Sequence, residues 1–530
     1  MPEYLSPGVY VIEEPSGVNP IEGVGTSTAC FIGAAARGRP FYPTYITSWT
    51  DFERSFGPLT KSADMPLAVY HFFLNGGKKA YIVRLLDLEA PDGKAAVGKA
   101  SFATDGGDPV LIEAAGAGVW SATMSVEIRL SPAGRNPWNP APNSDGAALF
   151  DIVVIDNVEG QDFELERISR VGVKEDGERF YATIVNRDSH YLRVALADGK
   201  TDFPEKNFAL DEVDENGRKV RKKTAKLAGG DDGDVNAVFA AAAIDKALFA
   251  LDKIDDINIL AIPGKFEKEV VSAGVSYVAK RADIIYVIDS VGSARNNTPG
   301  DLQMDKVREQ FNDLPVKDSH AALYFPWIEI ADPYSRVAGA TRFAPPSGAI
   351  AGLYARTDNR RGVWKAPAGT EASILGAVGL AVAVTDNDQE SLNPIGVNCI
   401  RQFPDSGIVC WGSRTIATRS KPEYRYVPIR RYAMFLAKSL YHGTQWVVFE
   451  PNDEPLWSAV RFNLNAFMLR QFRAGALQGG KPEEAYFVKC DKENNPQASI
   501  DAGEVHITVG FAPLKPAEFV IIHLTQMRKE

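Results

Sequence analysis

Between Gly229 and Ile330 the chain alternates helix-like and strand-like runs, and no other feature narrows the possible folds as much. The run VNAVFAAAAIDKALFALDKI has the Ala, Leu and Ile density of a helix, and it leads into INILAIPG, a short apolar run. A second helical stretch leads into ADIIYVIDS and a third into AALYFPWIEI. Strands that are apolar at almost every position bury both faces, and strands separated by helices join in parallel. The expected centre is therefore a mostly parallel sheet covered by helices.

Similar material lies nearer the N-terminus. TACFIGAA, Thr28 to Ala35, reads as a strand, a helix opens near Asp51 and Phe52, PLAVYHFFLNGG is a second helix closed by Gly76 and Gly77, and KAYIVRLL is another strand. The last hundred residues predict a helix from about Ile429 to His442, a strand TQWVVFE, a long helix from Glu454 to about Ala476, and the β runs EAYFVKC, VHITVGFA and EFVIIHLTQ. From about Ala90 to Gly230 the texture differs. Gly-rich and Pro-rich stretches separate the β-like runs MSVEIRL, FDIVVID and YATIVN, and residues 91 to 228 hold 18 basic and 23 acidic side chains. The expected fold class is α/β (mixed α+β): a core built from N-terminal and C-terminal segments, with an inserted, acidic, β-rich domain.

Charge and motifs exclude whole classes of function. With 58 Lys and Arg against 68 Asp and Glu, the formal net charge is −10, so the chain lacks the basic excess that displaces counterions from phosphates, and no nucleic-acid partner is expected. The start, MPEYLSPGVYVIEE, has Glu3 and Pro7 where a secretion signal needs a basic start and an apolar core. The uncharged stretch from Ala372 to Thr385 is short of the roughly 20 residues that span a bilayer, so a soluble chain without membrane insertion is expected. Cys30, Cys399, Cys410 and Cys490 are too scattered for a disulfide framework or a zinc site and read as buried thiols.

Catalytic signatures are missing as well. The histidines (His71, His190, His320, His442, His506 and His523) form no close metal pair, and there is no GxSxG, no GxxxxGK[ST] and no GxGxxG after a strand. Asp283 and Asp289 flank the run IIYVI at positions where α/β enzymes place reactive carboxylates, and both are equally ordinary turn residues. The expectation is a non-enzyme with no catalytic residue, cofactor or metal.

Five segments carry a family pattern: SPGVYVIEE (Ser6 to Glu14), DPYSRVAGATRFAPPSGAIAGLYARTDNRRGVWKAPAG (Asp332 to Gly369), LNPIGVNCIRQFPDSGIVCWGSRTI (Leu392 to Ile416), GTQWVVFEPND (Gly443 to Asp453) and PEEAYFVKCD (Pro482 to Asp491). Together they resemble the tail sheath protein of contractile phage tails and related contractile injection systems, over residues 1 to about 85 and 235 to 530. The resemblance implies a structural and mechanical subunit. It would polymerise as stacked hexameric rings around an inner tube in a metastable extended state, and contract to drive the tube through a target cell envelope. Implied partners are further copies of itself, the inner tube protein, and baseplate and tail terminator or cap proteins. The implied location is a phage tail or a tail-like injection particle, after synthesis in the bacterial cytoplasm. A static shell or capsid-like protein is the alternative.

On this reading the chain divides into an N-terminal arm (1–27), a first core part (28–90), an inserted outer domain (91–230), a second core part (231–510) and a C-terminal arm (511–530). Gly8, Val9, Tyr10, Val11, Ile12, Glu13 and Glu14 form one terminal strand, and Glu518, Phe519, Val520, Ile521, Ile522, His523 and Leu524 the other. Unpaired apolar strands template further pairing, so each either pairs within its own sheet or is donated to a neighbouring subunit, as the resemblance implies. The connector containing Gly17, Gly23 and Gly25 is expected to be flexible. On the long helix, Arg470 and Arg473 project away from the stripe of Trp457, Val460, Leu464, Phe467 and Met468, and they face either solvent or the tube. The cluster containing Arg414, Arg425, Arg430 and Arg431 either meets acidic groups of the next subunit or closes internal ion pairs.

Overall fold

The computed structural model describes residues 20–86, 95–131, 149–158, 160–175, 177, 179–196, 200–210, 212–213, 219–231, 239–292, 304–519 and 521. They form a mixed α/β protein with several sheets. The chain divides into two compact units: one holds residues up to Thr26, Asp358–Ala366 and everything from Tyr426 on, and the other holds Ser27–Thr357 and Pro367–Arg425.

The larger unit is built on an eight-stranded sheet. Strands β1 (Ala29–Gly33), β3 (Ala80–Arg84), β13 (Ile259–Ala261), β14 (Ile285–Asp289), β15 (Ala321–Phe325) and β19 (Val397–Phe403) run parallel, and β2 (Thr44–Ile46) and β20 (Gly407–Cys410) close the edges antiparallel. β1, β13, β14 and β15 are buried at every position, which is why their sequences are apolar without alternation. On one face Ile244 and Leu248 of helix α4 (Ala241–Phe249), Val271, Val275 and Val278 of α5 (Lys268–Arg281), and Val307 and Phe311 of α6 (Met304–Asp313) close a core over Cys30, Leu260, Ile288 and Leu323. α1 (Trp49–Phe56) and α2 (Met65–Leu74) follow β2, and the N-terminal part of α7 (Ser347–Arg361) packs against α2. A Cβ on Gly348 would lie 2.1 Å from the Ala68 carbonyl oxygen and one on Gly352 2.5 Å from that of Phe72, so these glycines let the two backbones touch. A three-stranded sheet, β17 (Thr341–Ala344), β16 (Ile328–Ala331) and β18 (Ala377–Leu380), and helix α8 (Asp386–Leu392) complete this part.

Residues 99–226 form sheets of their own. β4 (Lys99–Thr104), β5 (Gly107–Ala114) and β9 (Leu192–Ala195) make one. β6 (Met124–Leu130), β7 (Phe150–Val158), β8 (Gln161–Val171) and β12 (Lys222–Lys226) make another, and β10 (Glu212–Val213) and β11 (Lys219–Val220) pair as a short ladder. Their shared core, including Phe102, Ile112, Val126, Ile152 and Val185, draws among the described residues on the stretch from Val97 to Leu227. The buried Arg84 guanidinium at the end of β3 donates to the carbonyls of Ala35 (2.9 Å), Ala36 (3.2 Å), Gly38 (3.0 Å) and, in this stretch, Ala117 (2.7 Å).

Two local expectations are corrected. YATIVN is not β but opens α3 (Tyr181–Asp188): Tyr181, Ala182, Ile184 and Val185 are buried, a spacing that follows a helix turn and overrides their β-branched content. TQWVVFE is not a strand either. Gln445–Val447 forms a single 3-10 turn, and the chain then bends at Phe449, whose φ of +70° breaks any extended run.

Candidate assembly surface

The smaller unit is organised by two helices, α9 (Val427–Gly443) and α10 (Glu454–Arg473), and a two-stranded antiparallel sheet, β21 (Tyr486–Lys489) with β22 (Thr508–Phe511). α9 begins with Pro428 in its first turn, and α10 begins with Asp453, whose carboxylate accepts the Leu456 N–H at 3.3 Å. Leu456, Trp457, Val460, Leu464, Phe467 and Met468 point into a core with Tyr432, Leu436 and Ala485. Tyr486, Val488, Val509 and Phe511 pack against that core, while the exposed Phe487 lies across Gly510 on the opposite face. Among the described residues each strand has only the other as its ladder partner.

The segment entering this unit is seated. Ile21 is buried in the core and rests on Gly443, where a Cβ would come within 2.6 Å of its side chain. Gly23 faces the Phe435 ring at a Cβ distance of 2.9 Å, the Val24 N–H donates to Ser439 Oγ at 3.1 Å, and the Arg470 guanidinium donates to the Ile21 carbonyl. The flexibility expected at Gly23 is therefore corrected: that glycine serves close packing. The arm strand Gly8–Glu14 and Gly17 lie outside the described residues.

The basic cluster separates by burial. Arg431 makes a two-pronged ion pair with Asp358 at 2.7 and 2.8 Å and donates to the Thr26 carbonyl at 2.9 Å, with only 3% of its side chain exposed. Arg414 is buried in the larger unit and donates to the Asn393 carbonyl at 3.0 Å, and its own N–H is held by Asn398 at 2.6 Å. Of the two readings, these described bonds belong to internal pairing: both guanidiniums are removed from water and spend donors inside their own chain. Arg425 and Arg430 are half-buried. On α10, Arg473 is exposed, and Arg470 lies over the Phe467 ring at 5.8 Å while holding Ile21. Arg461 reaches the Cys490 carbonyl and Glu454. At the C-terminal end Glu518 accepts from Tyr426 at 2.8 Å, Phe519 and Ile521 are exposed and in no strand, and Val520, Ile522, His523 and Leu524 lie outside the described residues.

Asp289 and Asp283, which flank the run IIYVI, and the neighbouring Asp318 each have partners within the chain. Asp289 is buried and accepts the Gly264 N–H (3.0 Å), the Ser347 N–H (2.8 Å) and the Ser347 hydroxyl (2.7 Å). Burial pushes its carboxyl up to about 7 in spite of these donors. Asp283 pairs with Arg281 at 2.8 Å. Asp318 sits between His320 (2.5 Å) and Lys421 (2.7 Å), which hold its carboxyl well below the usual range, the His320 bond first. The four cysteines are buried free thiols, and burial raises Cys399 and Cys410 to about 12, leaving them protonated. Among the described residues no group of His, Cys, Asp and Glu could hold a metal ion, and no helix is long and apolar enough to cross a membrane.

Comparison with known proteins decides the family. Residues 240–416 match the phage tail sheath protein central domain and residues 419–526 the phage tail sheath C-terminal domain, together more than half of the chain. The chain belongs to the phage tail sheath family. The tail sheath protein of Vibrio phage KVP40 is 26% identical to this sheath-family chain over 372 residues, 62% of the chain and 52% of that protein. That of Enterobacteria phage T4 is 28% identical over 197 residues, 36% of the chain and 28% of its own length. The chain thus spans about half the length of the Vibrio phage relative. In structure it resembles the sheath complex of an extracellular contractile injection system, PVC, in its contracted state, with a TM-score of 0.57 at 20% identity over 99% of each chain. It also resembles a sheath tail protein of Listeria innocua, with a TM-score of 0.58 at 14% identity over 93% of this chain and 96% of that one. The family signature thus runs through most of the chain from residue 240 on, while residues 99–226 lie outside both matched stretches.

Proposed function

We propose that this chain is the structural subunit of a contractile tail sheath. It assembles as stacked hexameric rings around an inner tube, ends on baseplate and terminator or cap proteins, and stores the work of contraction in the assembled lattice. The particle is a phage tail or a tail-like injection device, made in the bacterial cytoplasm. The observation that carries the reading, beside the family, is β21–β22: a two-stranded sheet with one face on a core and no further ladder partner among the described residues. Two strands alone are marginal in water, and each open edge offers backbone donors and acceptors to an incoming strand. The terminal runs Gly8–Glu14 and Glu518–Leu524 have the composition to supply such strands.

Each added main-chain hydrogen bond contributes roughly 0.5–1.5 kcal/mol, so a strand of five to seven residues links copies firmly while their larger units reorient. Residues 91–230 serve as an inserted outer domain on this reading, supported by their separate core. Electron microscopy of the chain without residues 1 to 15 tests the arm. Soluble, folded particles that do not polymerise are expected, and normal helical sheaths from the truncated chain would overturn strand donation by that arm.

A further inference from the structure

We propose that Ile21–Thr26 is a fixed strap locked by the buried Asp358–Arg431 pair. The segment reads as a loop in sequence, yet it is tied along its length. Ile21 is 1% exposed and sits on Gly443, its carbonyl accepts from Arg470, and the Val24 amide is held by Ser439. At the far end the Thr26 hydroxyl donates to Asp358 at 2.6 Å and the Thr26 carbonyl accepts from Arg431 at 2.9 Å. Asp358 therefore accepts from Arg431 and Thr26 together, and Arg431 spends one donor on the strap itself. Pulling the strap out would leave a buried guanidinium without one acceptor and a buried carboxylate without one donor, and in a low-dielectric site such losses are costly. A core side chain at one end and a charged lock at the other make the strap release as a unit, not residue by residue.

The purpose of such a strap rests on the proposed arm, but its existence is tested on the unassembled full-length chain by hydrogen exchange, which needs no sheath. Peptides covering residues 21–27 are expected to exchange at least about tenfold more slowly than an unstructured peptide of the same sequence. Asp358→Asn and, separately, Ile21→Asp are each expected to remove that protection while leaving β14 and β15 unchanged. Should Asp358→Asn fail to fold, Ile21→Asp carries the test, because it adds a charge at the strap's own end and leaves the Asp358–Arg431 pair intact. Free exchange of residues 21–27 in the native chain, or protection that survives Ile21→Asp, would overturn the strap. Sheath formation measured in the same samples reports separately on the proposed function.

Discussion

The Asp289 carboxylate caps helix α7 from outside it, taking the Ser347 N–H at 2.8 Å and the Ser347 hydroxyl at 2.7 Å from the end of a strand 58 residues earlier. The first turn of a helix leaves N–H groups without partners, and a carboxylate there also meets the positive end of the helix dipole. Here the cap is supplied by tertiary structure, which ties α7 to the end of β14 and, through the Gly264 N–H, to the turn after β13.

That position predicts a pH dependence. An unfolded aspartate loses its proton near pH 3.8, whereas folded Asp289 keeps it up to about 7. Between those values the folded chain holds a proton that the unfolded chain has lost, so this group's contribution is fully present below about pH 4 and fades as pH rises through 7. Asp289→Asn cannot titrate. The melting temperature of the variant relative to the native chain is therefore expected to move in the variant's favour between pH 4.5 and 7.5, and a gap that stays constant over that range would refute the assignment.

Close approach of α2 and α7 predicts a large effect from a single methyl group. Gly348→Ala places its Cβ against the Ala68 carbonyl, a backbone atom that cannot swing aside, and overpacking of this kind costs roughly 1–3 kcal/mol. Gly25→Ala meets nothing within 4 Å and should be close to neutral. Thermal melts of the two variants measured side by side check the contrast.

Replacing residues 91–228 by a short linker should leave a soluble chain that still polymerises, because the core of that stretch is its own. The expected cost lies at the junction, where Arg84 loses the Ala117 carbonyl and keeps those of Ala35, Ala36 and Gly38, and where Arg37 loses the Tyr191 ring it lies over at 4.9 Å. Insoluble protein from the shortened chain would show that the stretch completes the larger unit's core.

The two arginines of α10 should behave differently on reversal to Glu. Arg473 is exposed, so Arg473→Glu is expected to impair assembly around the tube protein more than assembly of the chain alone. Arg470 holds the Ile21 carbonyl, so Arg470→Glu is expected to impair both. Sedimentation of polymers formed with and without tube protein separates the cases, and equal effects of Arg473→Glu in the two samples would remove it from the tube-facing surface.

Much of the larger unit was legible in sequence, since β13, β14 and β15 are apolar at successive positions whatever lies around them, and burial on both faces requires that. The family was legible for a related reason: its pattern lies in contiguous segments. What the sequence left open depends on partners far away along the chain. Arg431 and Arg473 are the same residue type on neighbouring helices, yet one is buried against an aspartate 73 positions earlier and a threonine 405 positions earlier, and the other is exposed. YATIVN and TQWVVFE share the β-branched texture of strands, yet one buries its apolar residues at helical spacing and the other forms a 3-10 turn and bends at Phe449. Local composition sets which residues must leave water, but the direction in which each side chain finds its partner is fixed only when distant segments meet, and there the tertiary structure alone decides.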